Sequence, residues 1–205
     1  MTANELCGLH VSRETMDGLQ GYAALLEKWN AKINLVAAST LPDFWDRHIV
    51  DSAQLFIHAP ENAVSWVDLG SGGGLPGLVC AILSQEFSPE RVFTLIESDA
   101  RKAAFLTTAI REFGLNARVL TSRVEATEPQ AADVVSARAL ASLPQLLPLV
   151  ARHLAKGGVA LLPKGRNYNE ELAAVRLEWQ FDIAIIDSQT DPLAKLLILK
   201  DLKRV

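Results

Sequence analysis

Ten consecutive residues constrain this chain more than any others: Asp68-Leu69-Gly70-Ser71-Gly72-Gly73-Gly74-Leu75-Pro76-Gly77, with four glycines inside five positions. An apolar run, Val64 to Leu69, leads into the segment, and a helical pattern, Leu75 to Gln85, leaves it. A turn without Cβ atoms can adopt positive φ and let a ligand touch the backbone. Pro76 suits the start of a helix, where its missing N–H has no intrahelical partner to lose. The order predicted is strand, glycine-rich turn, helix.

The same alternation continues to the end of the chain. Strands are expected at Val92 to Glu97, Ala117 to Thr121, Asp133 to Ala137 and Val159 to Leu162. Helices are expected at Ala100 to Phe113, ending at Gly114, at Leu143 to Leu154 despite Pro148, and at Asn169 to Trp179. Gly157-Gly158 reads as a turn. The last two strands, Phe181 to Ile186 and Leu196 to Leu202, have no helical pattern between them and must run antiparallel. Strands alternating with helices predict a parallel sheet covered on both faces, and right-handed crossovers narrow the topology to a doubly wound one. An α/β chain with a mostly parallel, seven-stranded sheet and a reversed last strand resembles the Rossmann-like fold of class I S-adenosylmethionine-dependent methyltransferases.

Residues 1–60 differ and read as an N-terminal helical cap on the 61–205 core, the two forming one unit without repeats or linkers. Ser12 can cap a helix carrying Met16, Leu19, Ala23 and Leu26, with Tyr22, Leu25 and Trp29 alongside. A second helix starts near Pro42-Asp43 and aligns Trp45, Ile49, Ala53 and Phe56.

Composition removes several function classes. The chain of 205 residues is 49% hydrophobic and has a formal net charge of −4, which argues against indiscriminate nucleic-acid binding but permits a local basic patch. Cys7 and Cys80 make neither a disulfide framework nor a zinc site, and they suit a reducing cytosol. His10, His48, His58 and His153 lack zinc-hydrolase spacing, so no metal is expected. No apolar run approaches the ~20 residues of a membrane span, and the first residues lack a signal core, so a cytoplasmic location is expected. Nothing like a coiled-coil seam asks for a partner, and a monomer is expected.

The glycine segment leaves two ligand classes open. Gly72, Gly74 and Gly77 satisfy the dinucleotide pattern, which alone is weak. Asp68, at the strand end, would repel a pyrophosphate but could hold the cationic methionine end of adenosylmethionine. Glu97 closes the next strand and could accept both ribose hydroxyls of either cofactor. After the third strand, Thr121-Ser122-Arg123-Val124-Glu125 would lie beside an adenine ring. Arg138, after the fourth, falls where methyltransferases place groups that meet donor and substrate, or else pairs with a neighbouring acid. Arg47 with Asp51, and His48 with Ser52, share helix faces at four-residue steps, as a hydrogen-bond cluster or as a pocket wall. Arg101-Lys102 reads mainly as a solvated face.

Several further motifs, in order and spacing, resemble the bacterial small-subunit rRNA methyltransferase G family, also called glucose-inhibited division protein B. They are Trp29-Asn30 with Ile33-Asn34-Leu35, Arg47-His48-Ile49-Val50-Asp51-Ser52, the glycine segment, Arg101-Lys102-Ala103-Ala104-Phe105-Leu106, Ser122-Arg123-Val124-Glu125, Ser136-Ala137-Arg138-Ala139-Leu140-Ala141-Ser142-Leu143, and Lys164-Gly165. The chain departs at Gly73, where the family usually has Ala or Pro, and at Glu97-Ser98, where Asp-Ser is common. The resemblance implies S-adenosylmethionine as cofactor, contacts to it at Gly70, Leu75, Val124, Glu125 and Arg138, and methylation of guanine N7 in 16S rRNA, with 16S rRNA or the small subunit as partner.

That chemistry agrees with what the sequence lacks. N7 already carries an in-plane lone pair, so attack on a sulfonium methyl requires positioning and desolvation rather than a base. No Asn/Asp-Pro-Pro-Tyr/Phe segment of amine methylation appears, and neither cysteine lies in a nucleophile context. Side chains cannot read the narrow major groove of A-form RNA, so the target guanine is expected in a loop or extruded. Arg47, Arg123, Lys164, Arg166 and Lys32 are candidate phosphate contacts. The rival readings are a nicotinamide-dependent oxidoreductase and an inactive, nucleoside-binding protein that sits on the ribosome.

Overall fold

The protein is described from a computed structural model over residues 5–205; residues 1–4, part of the stretch inspected for a signal, lie outside the described residues. Among those residues, a seven-stranded sheet runs in the order β5-β4-β3-β6-β7-β9-β8. Its strands are β3 (Ser65–Leu69), β4 (Val92–Glu97), β5 (Ala117–Thr121), β6 (Ala132–Ser136), β7 (Leu154–Lys164), β8 (Trp179–Asp187) and β9 (Lys195–Arg204). All neighbours pair in parallel except β9, which is antiparallel to both β7 and β8. The expected reversed strand is therefore the last one. Chain order changes direction between β3 and β6, and the carboxyl ends of those two strands open a crevice, where doubly wound sheets bind ligands.

Helices cover both faces: α3 (Gly77–Phe87), α4 (Ala100–Glu112), α5 (Leu143–His153) and α6 (Tyr168–Val175). The apolar residues of β3 are buried on both sides, as a central parallel strand requires. Asp99 caps α4 by accepting from the Arg101 and Lys102 amides. Pro148 stays inside α5, which buries Leu143, Leu146, Leu147 and Val150 against the sheet.

Three expectations needed correction. The helix expected over Asn169 to Trp179 stops at Val175. Trp179 instead opens β8, is 7% exposed, and has the Arg204 guanidinium 5.9 Å from its ring centroid. Burying an indole between two layers outweighs the helical pattern that continued to it. Gly157-Gly158 is not a turn between elements but an irregularity inside one longer β7, whose register with β6 shifts between Ala132 and Val134. The second cap helix is also two pieces, a π-helical turn at Trp45–Val50 continuing into α2 (Asp51–Phe56). Ile49 and Ala53 are fully buried as expected, while Trp45 is only partly so.

The cap begins with a short hairpin, β1 (Glu5–Leu6) against β2 (Leu9–His10), which the sequence had not suggested. Ser12 then caps α1 (Arg13–Asn30) through the Thr15 amide. Met16, Leu19, Tyr22 and Leu26 bury one stripe of α1 in the core that includes α3. Full burial of such side chains contributes roughly 1.5–3 kcal/mol each. One contact links the stripe to the glycine segment: the buried Tyr22 hydroxyl donates to the Gly73 carbonyl at 2.6 Å. Tyr22→Phe leaves that carbonyl dry and unpaired. The expected result is a loss of about 1–3 kcal/mol in denaturant unfolding at unchanged slope; an unchanged midpoint would show the bond contributes nothing.

Candidate functional site

The glycine segment forms a tight, latched loop. The Ser71 amide donates to the Ile96 carbonyl at 3.0 Å, and the Gly74 amide donates back to the Ser71 carbonyl at 2.7 Å. Glu97, 7% exposed at the end of β4, fastens it from the side. Its Oε2 accepts from the Gly72 amide and its Oε1 from the Asp99 amide, both at 2.8 Å. Gly72 adopts φ of +55°, and an added Cβ there would meet only the Gly70 carbonyl, at 3.8 Å, so open space lies over its backbone.

Asp68 sits behind the loop rather than in the crevice. It is 1% exposed, and its Oδ1 accepts from the Ser136 hydroxyl at 2.6 Å; that hydroxyl in turn accepts from the Trp66 indole N–H. Its Oδ2 makes no hydrogen bond and faces the first turn of α3, where a Cβ on Gly77 would come within 2.9 Å. Gly77 thus lets a carboxylate approach the amino end of a helix, where negative charge is favoured. Burial still pushes the Asp68 carboxyl up to about 6, against the pull of the Ser136 and Ser71 hydroxyls, the Gly77 amide and the Arg138 charge.

The crevice has two lobes. A smaller one of about 280 Å³ is lined by Gly70, Gly72, Glu97, Lys102, Arg123 and Glu125, with Val124 at its wall. A larger one of about 510 Å³ is lined by Leu35, Arg47, His48, Asp51, Arg138 and Lys164. Ala139, with φ of +54°, borders both lobes. Leu140 lies over Gly70, so close that a Cβ on Gly70 would fall 2.5 Å from its Cδ1.

Arg138 is held in the larger lobe by three hydrogen bonds. Its Nη1 donates to Asp51 Oδ2 at 3.1 Å and to the Arg47 carbonyl at 3.2 Å, and its Nη2 to His48 Nδ1 at 2.9 Å. Asp51 Oδ1 also accepts from Gln54 in α2 and from Thr190 in the β8–β9 loop. The cluster is both a hydrogen-bond network and a pocket wall. Ser52 shares the His48 helix face in sequence but is fully buried and lines neither lobe. Asn30, the last residue of α1, accepts from the Leu35 and Val36 amides and so bends residues 35–37 over the larger lobe.

The structure brings Gly70, Gly72, Glu97, Val124 and Glu125 together around one lobe, and Arg138 and Arg47 around the other. It turns Gly74 and Leu75 away: Gly74 packs on Leu78 and Leu106, and Leu75 is buried in the core. Lys164 also departs from a free phosphate-binding charge. Its side chain is 9% exposed, and its Nζ lies 2.7 Å from Glu171 Oε2 and 2.9 Å from the Ala141 carbonyl. Arg47, Arg123, Arg166 and Lys32 are exposed. Lys102, Leu140, Thr190 and Asp191 had carried no cofactor assignment, although each borders a lobe. The β8–β9 loop offered no periodic or motif signal, and only its fold-back to Asp51 brings it there.

With the geometry in hand, comparison with known proteins decides the family. A family model described as rRNA small subunit methyltransferase G matches residues 15–192. The chain belongs to that family. A relative named ribosomal RNA small subunit methyltransferase G, from Cereibacter sphaeroides, is 50% identical over 205 residues, covering 100% of both chains. Among solved structures, a SAM-dependent methyltransferase from Aquifex aeolicus is similar with a TM-score of 0.60 at 10% identity, covering 86% of this chain and 97% of that one. M. jannaschii TYW2 in complex with AdoMet gives 0.57 at 16% identity, covering 85% and 80%. These two share the fold. Family membership makes the protein a methyltransferase, and neither the oxidoreductase nor the inactive-scaffold reading finds support. Among the described residues, no helix is long and apolar enough to cross a membrane, and no group of three or more His, Cys, Asp or Glu could hold a metal.

The raised Asp68 carboxyl has a consequence for stability. A carboxyl whose pKa is higher folded than unfolded binds its proton better in the folded chain. Stability is therefore lost as pH rises from 3.8 through about 6, and the loss is complete above that window. Asp68→Asn abolishes this titration. Relative to the unchanged protein, the variant should gain on the order of 3 kcal/mol between roughly pH 4 and pH 7, read from denaturant unfolding. Parallel stability curves would show that the carboxylate is not strained.

Proposed function

We propose that this methyltransferase moves a methyl group from S-adenosylmethionine to N7 of a guanine in 16S ribosomal RNA. The observation that carries the reading is the pairing of lobes: an open glycine backbone beside a strand-end carboxylate in one, and a clamped guanidinium in the other. Glu97 retains lone pairs for ribose hydroxyls after holding two loop amides. Gly72 presents open backbone, Gly70 borders the lobe beneath Leu140, and Val124 and Glu125 border the adenine side. Arg138 has committed three of its five N–H groups, which leaves Nε–H and one Nη2–H for an anionic or carbonyl oxygen such as the methionine carboxylate. Asp68 acts from behind, as a buried negative charge fixing β3 to Ser136.

The cofactor, when bound, supplies a methyl group on a cationic sulfur that a lone pair can displace. The chain has to hold the base in line and exclude water. Guanine N7 loses no proton before attack, and the larger lobe fits that requirement. Its histidine, His48, has both ring nitrogens engaged, Nδ1 with Arg138 and Nε2 with Thr40. Of its carboxylates, Asp51 and Glu171 are paired with Arg138 and Lys164, and Asp191 accepts from the Leu193 amide. Exposed Arg47, Arg123, Arg166 and Lys32 lie free to meet phosphates of the RNA; Lys164 instead holds the segment after β6 in place through Ala141.

Calorimetry with S-adenosylmethionine, its demethylated product and NAD tests the cofactor. Saturable binding of the first two and none of NAD is expected. Binding of NAD with no signal from S-adenosylmethionine would overturn the reading.

A further inference from the structure

We propose that His48 is a positioning residue for methyl-donor binding: its unprotonated Nδ1 holds the Arg138 guanidinium so that the two remaining N–H groups face the crevice. The proposal rests on the cofactor reading above and adds a residue to it.

Proton counting fixes the arrangement. A guanidinium can only donate, so the 2.9 Å contact from Arg138 Nη2 requires His48 Nδ1 to accept and therefore to carry no proton. In a neutral ring the proton then sits on Nε2, which lies 2.8 Å from Thr40 Oγ1. The Thr40 hydroxyl proton is directed to the Ala37 carbonyl at 2.7 Å, leaving its oxygen free to accept from His48. One direction of donation thus satisfies the chain from Arg138 through His48 and Thr40 to Ala37. All four residues line the larger lobe.

The surroundings keep the ring neutral. His48 is 7% exposed, and the Phe44 ring packs on it with centroids 5.1 Å apart. The charged groups around it are Arg138 from the segment after β6, Arg47 from its own helical turn, and Asp51 from α2, which is engaged by Arg138. Burial, then Arg138, then Arg47 hold its pKa down to about 4. A protonated ring would lose its acceptor and set a third cation against two arginines.

His48 also matters because of what its contact leaves over. Asp51 and the Arg47 carbonyl occupy both Nη1 protons, and His48 occupies one of two on Nη2. Without it, the guanidinium can rotate about Nη1 toward solvent, and its free N–H pair loses a fixed direction. Charge and ion pair would survive; orientation would not.

Three variants separate positioning from mere packing. His48→Leu fills the space without an acceptor. His48→Asn puts a carbonyl oxygen near the place of Nδ1 and keeps the acceptor. Thr40→Val removes the partner of Nε2–H. Calorimetry with S-adenosylmethionine should show roughly tenfold or greater weakening for His48→Leu, the size of a lost hydrogen bond to a charged group. His48→Asn should recover most of that affinity, with Thr40→Val between them and equal thermal midpoints for Leu and Asn. Nitrogen NMR of the unliganded protein at neutral pH should show a bare Nδ1 and a protonated Nε2 on His48. Donor affinity unchanged in His48→Leu, equal weakening in the Leu and Asn variants, or a protonated Nδ1 would each overturn the proposal. Failure of the unchanged protein to bind S-adenosylmethionine, with the expected NMR signature present, would instead overturn the cofactor reading and this role of His48 with it.

Discussion

The ion pair of Arg138 with Asp51 is the joint on which the crevice depends. Their side chains are 17% and 16% exposed and meet at 3.1 Å, so each shields the other from an unpaired, partly dry charge. Arg138 follows β6, and Asp51 opens α2. Thr190, from the loop between β8 and β9, joins the same carboxylate. One acid therefore gathers the helical cap, the central sheet and the C-terminal strand pair around the larger lobe. Removing either partner would strand the other, and the walls of the lobe would lose their common anchor.

Two acids at adjacent strand ends divide the work on the opposite side. Glu97 lines the smaller lobe and holds the loop by two amides. Asp68 is withdrawn beneath the loop, with one oxygen on Ser136 and the other unpaired. Both satisfy the simple idea of an acid at a strand end. Only the packing of Gly77 against β3 explains why one of them is sealed in. The cost of that buried charge is offset in part by the helix behind it and by the Arg138 guanidinium, which again ties the loop to the joint with Asp51.

Much of this was legible in the sequence because the dominant signals are local. Strand β4 falls where its apolar run placed it, α4 begins at Ala100 where the helical pattern was expected to start, and the antiparallel last pair follows from a connection too short for a crossover helix. Non-local competition explains the errors. Trp179 continued a helical pattern, yet burial and the pairing of β8 with β9 claimed it for a strand. Gly157-Gly158 signalled a turn, but β6 and β9 on either side keep β7 continuous. At the site, motifs pick out whole segments without telling which of their side chains line the lobes. Gly74 and Leu75 belong to the same loop as Gly70 and Gly72, yet positive φ at alternate positions sends them to the core. The charge of Lys164 suggested phosphate, while its partner Glu171, seven residues on and one helix away, absorbs it. Leu140 over Gly70 and Thr190 on Asp51 are contacts between distant segments, and no local pattern announces them.

Transfer of an isotopically labelled methyl group tests the central claim most directly. The purified chain would be incubated with labelled S-adenosylmethionine and small-subunit ribosomal RNA, naked or assembled, and the RNA digested to nucleosides for mass spectrometry. The label should appear in 7-methylguanosine and in no other nucleoside. Label in a different nucleoside, or none at all from a protein that binds the donor, would contradict methyl transfer to guanine N7.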